Sequence, residues 1–384
     1  MTERKLLRTV MPRSLPAGTG PGAATRWAEQ LQSTVFNVGM KVTPMLPIGL
    51  QRLMTGGRSV TIDGNTLDPT LRLALAGQRA VGINGIVVDD DAAASRAQLR
   101  ELTAGLGGAD IHGCEVRDIA LPGPAGEIAA RHYRPVGGPD GPDGTAHPLL
   151  VFYHGGGFVV GDLDTHDAVC RLTCRDADVA VLSIDYRLAP EHPAPAALDD
   201  AYAAFRWACE HAADLGAIPG RVAVGGDSAG GNLAAGVALL ARDDSGPAPI
   251  LQWLLYPVTD SAAVTRSRTL YGDGYLLTKH DIDWFTAQYV GRSQLEPTDP
   301  RVSPLLAGDL SGLPPALIAV AGFDPLRDEG ELFAAALRDA GVVVDLRRMR
   351  SLTHGFINLF GLGGGSATAT AALISALRAH FSRS

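Results

Sequence analysis

From about residue 115 to the C-terminus, short apolar runs alternate with segments whose apolar residues recur every three or four positions. No other feature of the chain restricts its fold as much. The runs are CEVRDIAL, GEIAARHYRP, LLVFYHGG, VAVLSIDYR, RVAVGGDS, ILQWLLYPV, ALIAVAGF and VVVDLRRM. Between them lie helical patterns such as AALDDAYAAFRWACEHAADLG and AGGNLAAGVALLARDD. Strands that alternate with helices pair mostly in parallel, because each crossover returns the chain to the same end of the sheet. The expectation is an α/β fold: a mostly parallel eight-stranded sheet with helices on both faces. The first two runs are joined only through ALPGPAGE, which predicts a hairpin at one edge.

Two segments interrupt the alternation. Residues 1–110 lack clear strands and read as helices and loops. Residues 258–305, between the sixth and seventh strands, are too long for an ordinary connection. Their aromatic content (Tyr271, Tyr275, Trp284, Phe285, Tyr289) favours an ordered, functional element. With 384 residues, 46% of them hydrophobic and 19% charged, the chain has apolar material for a large core, so global disorder is not expected.

Composition also excludes partners. The net charge is −8 and no basic cluster is present, so no nucleic acid is expected. MTERKLLRTVMPRSLPAG lacks the apolar stretch of a secretory signal. Pro44 and Pro47 interrupt the most apolar early segment, residues 35–50, and no run reaches the length of a spanning helix. Cys114, Cys170, Cys174 and Cys209 have neither metal-ligand nor disulfide-framework spacing. They read as small buried apolar residues in a reducing, cytoplasmic protein.

The chemistry sits at the ends of three strands and on a fourth loop. Arg221-Val-Ala-Val-Gly-Gly-Asp-Ser-Ala-Gly-Gly-Asn232 carries G-x-S-x-G in the context of strand, sharp turn and helix, which exposes the Ser228 hydroxyl above the sheet. A serine nucleophile needs a base, and the base needs an orienting acid. Of the later histidines, His280 falls in the 258–305 interruption and His380 in a terminal helix, so both read as surface residues. His354, on the loop after the last strand, reads as the base. Asp324 ends the preceding strand, ALIAVAGF, and reads as the acid, whereas Asp328 and Glu329 read as helix-capping residues.

Acyl transfer creates an oxyanion, and backbone N–H groups must meet it. Ala229, after the nucleophile, is one donor; Gly156 and Gly157 in HGGGF supply the others. A phosphate cradle is the competing use of three glycines, but neither Gly-Lys-Ser/Thr nor GxGxxG follows this strand.

HGGGF, Asp185-Tyr-Arg-Leu-Ala-Pro-Glu-His-Pro193, GDSAGG, Asp324-Pro-Leu-Arg-Asp-Glu and His354-Gly-Phe together resemble the hormone-sensitive-lipase-like family of bacterial carboxylesterases, over roughly residues 110–384. The resemblance implies an α/β-hydrolase fold, a triad of Ser228, Asp324 and His354, and oxyanion donors at Gly156, Gly157 and Ala229. It implies that His154 and the DYRLAPEHP segment brace the oxyanion loop. It implies a helical cap built from residues 1–110 and from the 258–305 insertion, over a core of 111–257 and 306–384. The expected reaction is cleavage of small carboxylic esters, of short to medium acyl chain, through an acyl-enzyme on Ser228, with no metal and no organic cofactor.

Two other readings stand beside it. A membrane-interface lipase for longer chains draws on the apolar stretch Val35–Leu50, although a cap element packed on the core is the simpler account. A non-catalytic ligand-binding protein on the same fold is the other; His354 in its expected context argues against it. The last strand, Val342–Met349, is expected at a sheet edge, where it offers a homodimer contact.

Overall fold

The computed structural model describes residues 46–104, 111–136 and 146–382. Eight strands form one sheet: β1 (Cys114–Gly123), β2 (Gly126–Pro135), β3 (His147–Tyr153), β4 (Ala180–Asp185), β5 (Ala217–Asp227), β6 (Gln252–Leu255), β7 (Ala316–Phe323) and β8 (Val344–Thr353). Their spatial order is β8-β7-β6-β5-β3-β4-β2-β1. The β1–β2 and β2–β4 pairs are antiparallel. Every other pair is parallel. The hairpin β1–β2 occupies one edge, as its short connection predicts, and β8 forms the other.

Among the described residues, three helices precede the sheet: α1 (Ile48–Met54), α2 (Pro69–Ala80) and α3 (Ala92–Ala104). Between β3 and β6 lie α4 (Asp167–Ala177), α5 (Ala196–Glu210) and α6 (Ala229–Asp243). The long insertion carries α7 (Arg266–Tyr271) and α8 (Lys279–Tyr289), and the chain closes with α9 (Arg327–Asp339) and α10 (Gly364–Phe381).

The central strands are apolar without interruption because both faces are covered. Successive side chains of β3 enter opposite cores. Leu149, Val151 and Tyr153 pack with Leu198, Phe205 and Leu233 of α5 and α6. Leu150 and Phe152 pack with Cys170 and Cys174 of α4 and with Leu373 and Leu377 of α10. The edge strand β8 is only half-buried until its last two residues.

The early segment departs from expectation in one detail. Thr61–Ile62 and Asn65–Thr66 pair as a two-residue hairpin around Asp63-Gly64, both at positive φ (53° and 74°). Asp-Gly is a strong short-range turn signal, but the flanking strands are too short to show any alternation. Residues 1–45, which include most of the Val35–Leu50 stretch, lie outside the described residues.

The two interrupting segments are tied to each other and to the core. Thr278 and Asp281 form a reciprocal capping box at the start of α8. The same Asp281 carboxylate accepts the amides of Ile86 (3.0 Å) and Val87 (2.8 Å), joining the insertion to the loop before α3. Arg96 of α3 donates to Val159 O (2.8 Å) and Ala189 O (2.9 Å), which anchors that helix beside the glycine loop.

Candidate active site

Strand β5 ends at Asp227 and α6 begins at Ala229, so the whole strand-to-helix reversal falls on Ser228, at φ 56° and ψ −117°. A non-glycine residue there is strained and persists only when its surroundings dictate it. They do. Ser228 N donates to Leu255 O at 2.8 Å. A Cβ at Gly226 would lie 2.4 Å from Tyr153 O, and one at Gly230 only 1.9 Å from it. The glycines flanking the serine are thus required by backbone-to-backbone approach.

Asp324 follows β7 directly and His354 follows β8 directly, so both stand with Ser228 at the C-terminal ends of parallel strands. The structure brings the three together: His354 Nδ1 is 2.8 Å from Asp324 Oδ2, and His354 Nε2 is 2.9 Å from Ser228 Oγ. All three are buried, Asp324 completely. Asp324 Oδ1 is held by the Leu326 amide at 2.8 Å. With the proton on Nδ1, Nε2 is left to accept from the serine hydroxyl.

The loop after β3 presents its glycines to the same place. Gly156 and Gly157 have positive φ (121° and 59°), and Gly156 O accepts the amides of Val159 (3.0 Å) and Val160 (2.9 Å). The amides of Gly156, Gly157 and Ala229 have no acceptor among the described residues. His154 and Tyr186 stack beneath at 4.3 Å between centroids, and Tyr186 Oη donates to His154 O at 2.6 Å. Burial, reinforced by neighbouring His166, pushes His154 down to about 4 and keeps it neutral. Ala189 N donates to Phe158 O (2.9 Å), so the DYRLAPEHP segment does sit against this loop.

A cavity of about 130 Å³ opens over Ser228 and His354. Its lining is mainly apolar and comes from both interrupting segments, including Leu99 and Leu102 from α3 and Ile282, Phe285 and Tyr289 from α8. No helix among the described residues is long and apolar enough to cross a membrane.

Some expectations need correction. Glu329 caps nothing: it is fully buried, accepts the Thr259 amide (3.0 Å) and pairs with Arg268 (2.7 Å), bracing the start of the insertion against α9. Burial pushes its carboxyl up to about 7, against the pull of Arg268 and the Thr259 amide. Asp328 accepts from Ser267 N (2.8 Å), again fastening the insertion rather than capping α9. His380 is not a free surface residue but lies 3.5 Å from Asp345 with its side chain mostly covered. His280 is exposed, 3.2 Å from Asp90. Of the cysteines, Cys170 and Cys174 are buried, Cys114 and Cys209 are half-buried, and all four are free thiols.

Sequence reading missed His166, Asn358, Arg268 and Glu329, all of which border or brace the cavity. The readable signal was Asp227, since a carboxylate at a buried strand end requires a partner.

A family described as alpha/beta hydrolase fold matches residues 150–358. This chain belongs to the α/β-hydrolase family. Carboxylic ester hydrolase LipN of Mycobacterium tuberculosis is 63% identical over 97% of this chain and the whole of its own. Ethyl acetate hydrolase of Pseudomonas putida is 39% identical over 74% of this chain and 89% of its own. Among solved structures, an ester hydrolase from the Lake Arreo metagenome, complexed with a bipyridine phosphonate derivative, is 40% identical with a TM-score of 0.76, covering 82% of this chain and 99% of its own. The α/β-hydrolase expectation and the likeness to hormone-sensitive-lipase-like esterases both hold, and the chain groups with the carboxylic ester hydrolases.

Proposed function

We propose that this hydrolase cleaves carboxylic esters through an acyl-enzyme on Ser228. His354 Nε2 takes the Ser228 proton as the hydroxyl attacks the ester carbonyl, and Asp324 holds the imidazole in the required tautomer and supports its charge. The amides of Gly156, Gly157 and Ala229 meet the oxyanion. His354 then delivers the proton to the departing alcohol, and water repeats the sequence on the acyl group. The observation that carries this reading is the continuous Asp324–His354–Ser228 hydrogen-bond chain, at 2.8 and 2.9 Å, beside three amides without acceptors.

Residues 46–104 and 258–305 act as the cap. The small apolar cavity suits short to medium acyl chains, and a membrane surface is not required for such substrates. Four free thiols support a cytoplasmic setting. The place of β8 at the edge of the sheet supports pairing with a second copy.

The test is hydrolysis of p-nitrophenyl esters from acetyl to palmitoyl by the wild type and Ser228→Ala. Activity that peaks at short or medium chains and vanishes in the mutant supports the reading. A wild type inert across the series removes it and favours a ligand-binding role. A peak at palmitate that needs liposomes favours an interfacial lipase.

A further inference from the structure

We propose that His166 is a positioning residue for the oxyanion loop: it donates to Asp227, and that carboxylate holds the Gly155 amide so that Gly156 and Gly157 face the reacting carbonyl. The inference rests on the serine-esterase reading above.

His166 immediately precedes α4, is 3% exposed and borders the cavity. Its Nε2 lies 3.1 Å from Asp227 Oδ1. Gly155 N donates to that same oxygen at 2.8 Å, closer than its 3.3 Å approach to the imidazole. A Cβ at Gly155 would lie 2.5 Å from Asp227 Oδ2, so the loop backbone rests directly on this carboxylate. Asn358 Nδ2 completes the cluster, 3.2 Å from His166 Nε2 and 3.4 Å from Asp227 Oδ2. The group therefore joins three elements: the glycine loop, the residue before the nucleophile, and the short helix Phe356–Leu362 after His354.

The proton belongs on Nε2. Around that atom are two N–H donors, from Gly155 and Asn358, and one carboxylate oxygen, so only the carboxylate can accept. A bare Nε2 would set its lone pair against that of Asp227. With Nε2 protonated, both neighbouring donors turn to the carboxylate, which is what the shorter Gly155 distance reflects. The other ring nitrogen, bare in this tautomer, accepts from Thr165 Oγ1 at 2.9 Å, and Thr165 is itself held to Asp162 by two amide hydrogen bonds, Asp162 N to Thr165 Oγ1 (2.9 Å) and Thr165 N to Asp162 Oδ1 (2.8 Å). His166 is thus fixed on its outer side and presses a donor onto Asp227 on its inner side. Burial alone raises the Asp227 carboxyl, but His166 and the Gly155 amide hold it below the ordinary carboxylate range.

The need for such a brace follows from the loop itself. Consecutive glycines have many accessible conformations, whereas oxyanion donors act through preorganisation. The Gly157 amide shares its rigid peptide plane with Gly156 O, held by the Val159 and Val160 amides, and the Gly156 amide shares its plane with Gly155 O, 2.8 Å from His154 Nδ1. The remaining anchor, at the entry to the loop, is the Gly155 amide on Asp227.

The experiment compares His166→Ala, His166→Gln and His166→Asn with the wild type by kcat, KM and affinity for a trifluoromethyl ketone, which forms a tetrahedral adduct on the nucleophile. His166→Ala should lower kcat about 10- to 100-fold, up to the loss of one oxyanion donor, with KM nearly unchanged. Ketone affinity should fall in parallel. Glutamine sets an N–H near the Nε2 position and should recover most of the rate. Asparagine reaches only the Thr165 side and should not. Wild-type kcat in His166→Ala, or equal losses in the glutamine and asparagine variants, overturns the inference. If these variants lose cooperative melting, Asp227→Ala replaces them, because it removes the acceptor that Gly155 and His166 share; undiminished kcat there overturns the inference equally. Inactivity of the wild type, by contrast, would remove the esterase reading itself.

Discussion

The two sides of the cavity are built on different principles. On the strand side, position is enforced by backbone: Ser228 at φ 56°, Gly226 and Gly230 within 2.4 Å of Tyr153 O at any added Cβ, and Asp324 and His354 at the first residue past their strands. Few residue types satisfy such constraints. On the helical side, α3 and α8 present Leu99, Leu102, Ile282 and Phe285 through apolar contact, which many side chains of similar volume satisfy. Under the proposed function, reaction and selectivity are stored separately. A change on the strand side should slow every ester alike, whereas a change on the helical side should alter which ester is preferred.

The largest effect tests the strand side directly. Ser228→Ala should lower kcat by at least about 10⁴-fold for all chain lengths, and Asp324→Asn by about 10⁴-fold, because the amide no longer selects the tautomer that leaves Nε2 free to accept. Stopped-assay rates across the ester series measure this. A mutant that loses only one chain length would break the separation.

Next comes the glycine loop. A Cβ at Gly156 would lie 2.1 Å from Val160 O, a backbone atom that cannot move aside cheaply, and φ of 121° disfavours any L side chain. Gly156→Ala should therefore displace the oxyanion amides and lower kcat about 10²- to 10³-fold, with little change in KM. A rise in KM alone, with kcat retained, would show that the loop binds substrate in its ground state instead.

This division also explains what the sequence could reveal. GDSAGG, HGGGF, and Asp324 and His354 at strand ends were legible because each is a short local pattern whose meaning comes from the strand and helix around it. The eight-strand sheet was legible through alternation. Glu329 was not: its partners, Thr259 and Arg268, are 70 and 61 residues away in the chain, and a glutamate in the first turn of α9 has the appearance of a cap. His166 was hidden for the same reason, since its partners Asp227 and Asn358 are brought to it only by the folded sheet. The Asp63-Gly64 hairpin failed differently, from strands too short to alternate.

On the helical side, Phe285 is the most informative position. Its ring covers Gly157, where an added Cβ would lie 2.3 Å from Cγ, and neighbouring Tyr289 stacks on Phe158 at 3.9 Å. Phe285→Ala should open space beside the oxyanion loop and move the chain-length optimum upward, with kcat on the best substrate within about tenfold of wild type and a stability loss of about 3–5 kcal/mol. A uniform fall in kcat at an unchanged optimum would place Phe285 with the machinery rather than the pocket.

The smallest effect asks whether acid sensitivity belongs to the site at all. His154 sits under the oxyanion loop, while His132 lies on β2, away from it, yet both are pushed down to about 4. Burial is the largest cause in each, followed by His166 for the first and by Arg117 and Arg134 for the second. An unfolded histidine titrates near 6.5, so between about pH 6.5 and 4 the unfolded chain binds protons that these two residues refuse in the native state. Their contribution to stability is complete above about pH 6.5 and is lost as pH falls towards 4. His132→Asn should flatten the decline of melting temperature over that interval while leaving kcat at pH 7.5 unchanged. An undiminished slope would assign the acid limb to other groups. A change in kcat would mean that β2 is coupled to the strand-end chemistry, and the separation of the two sides would then need a third term.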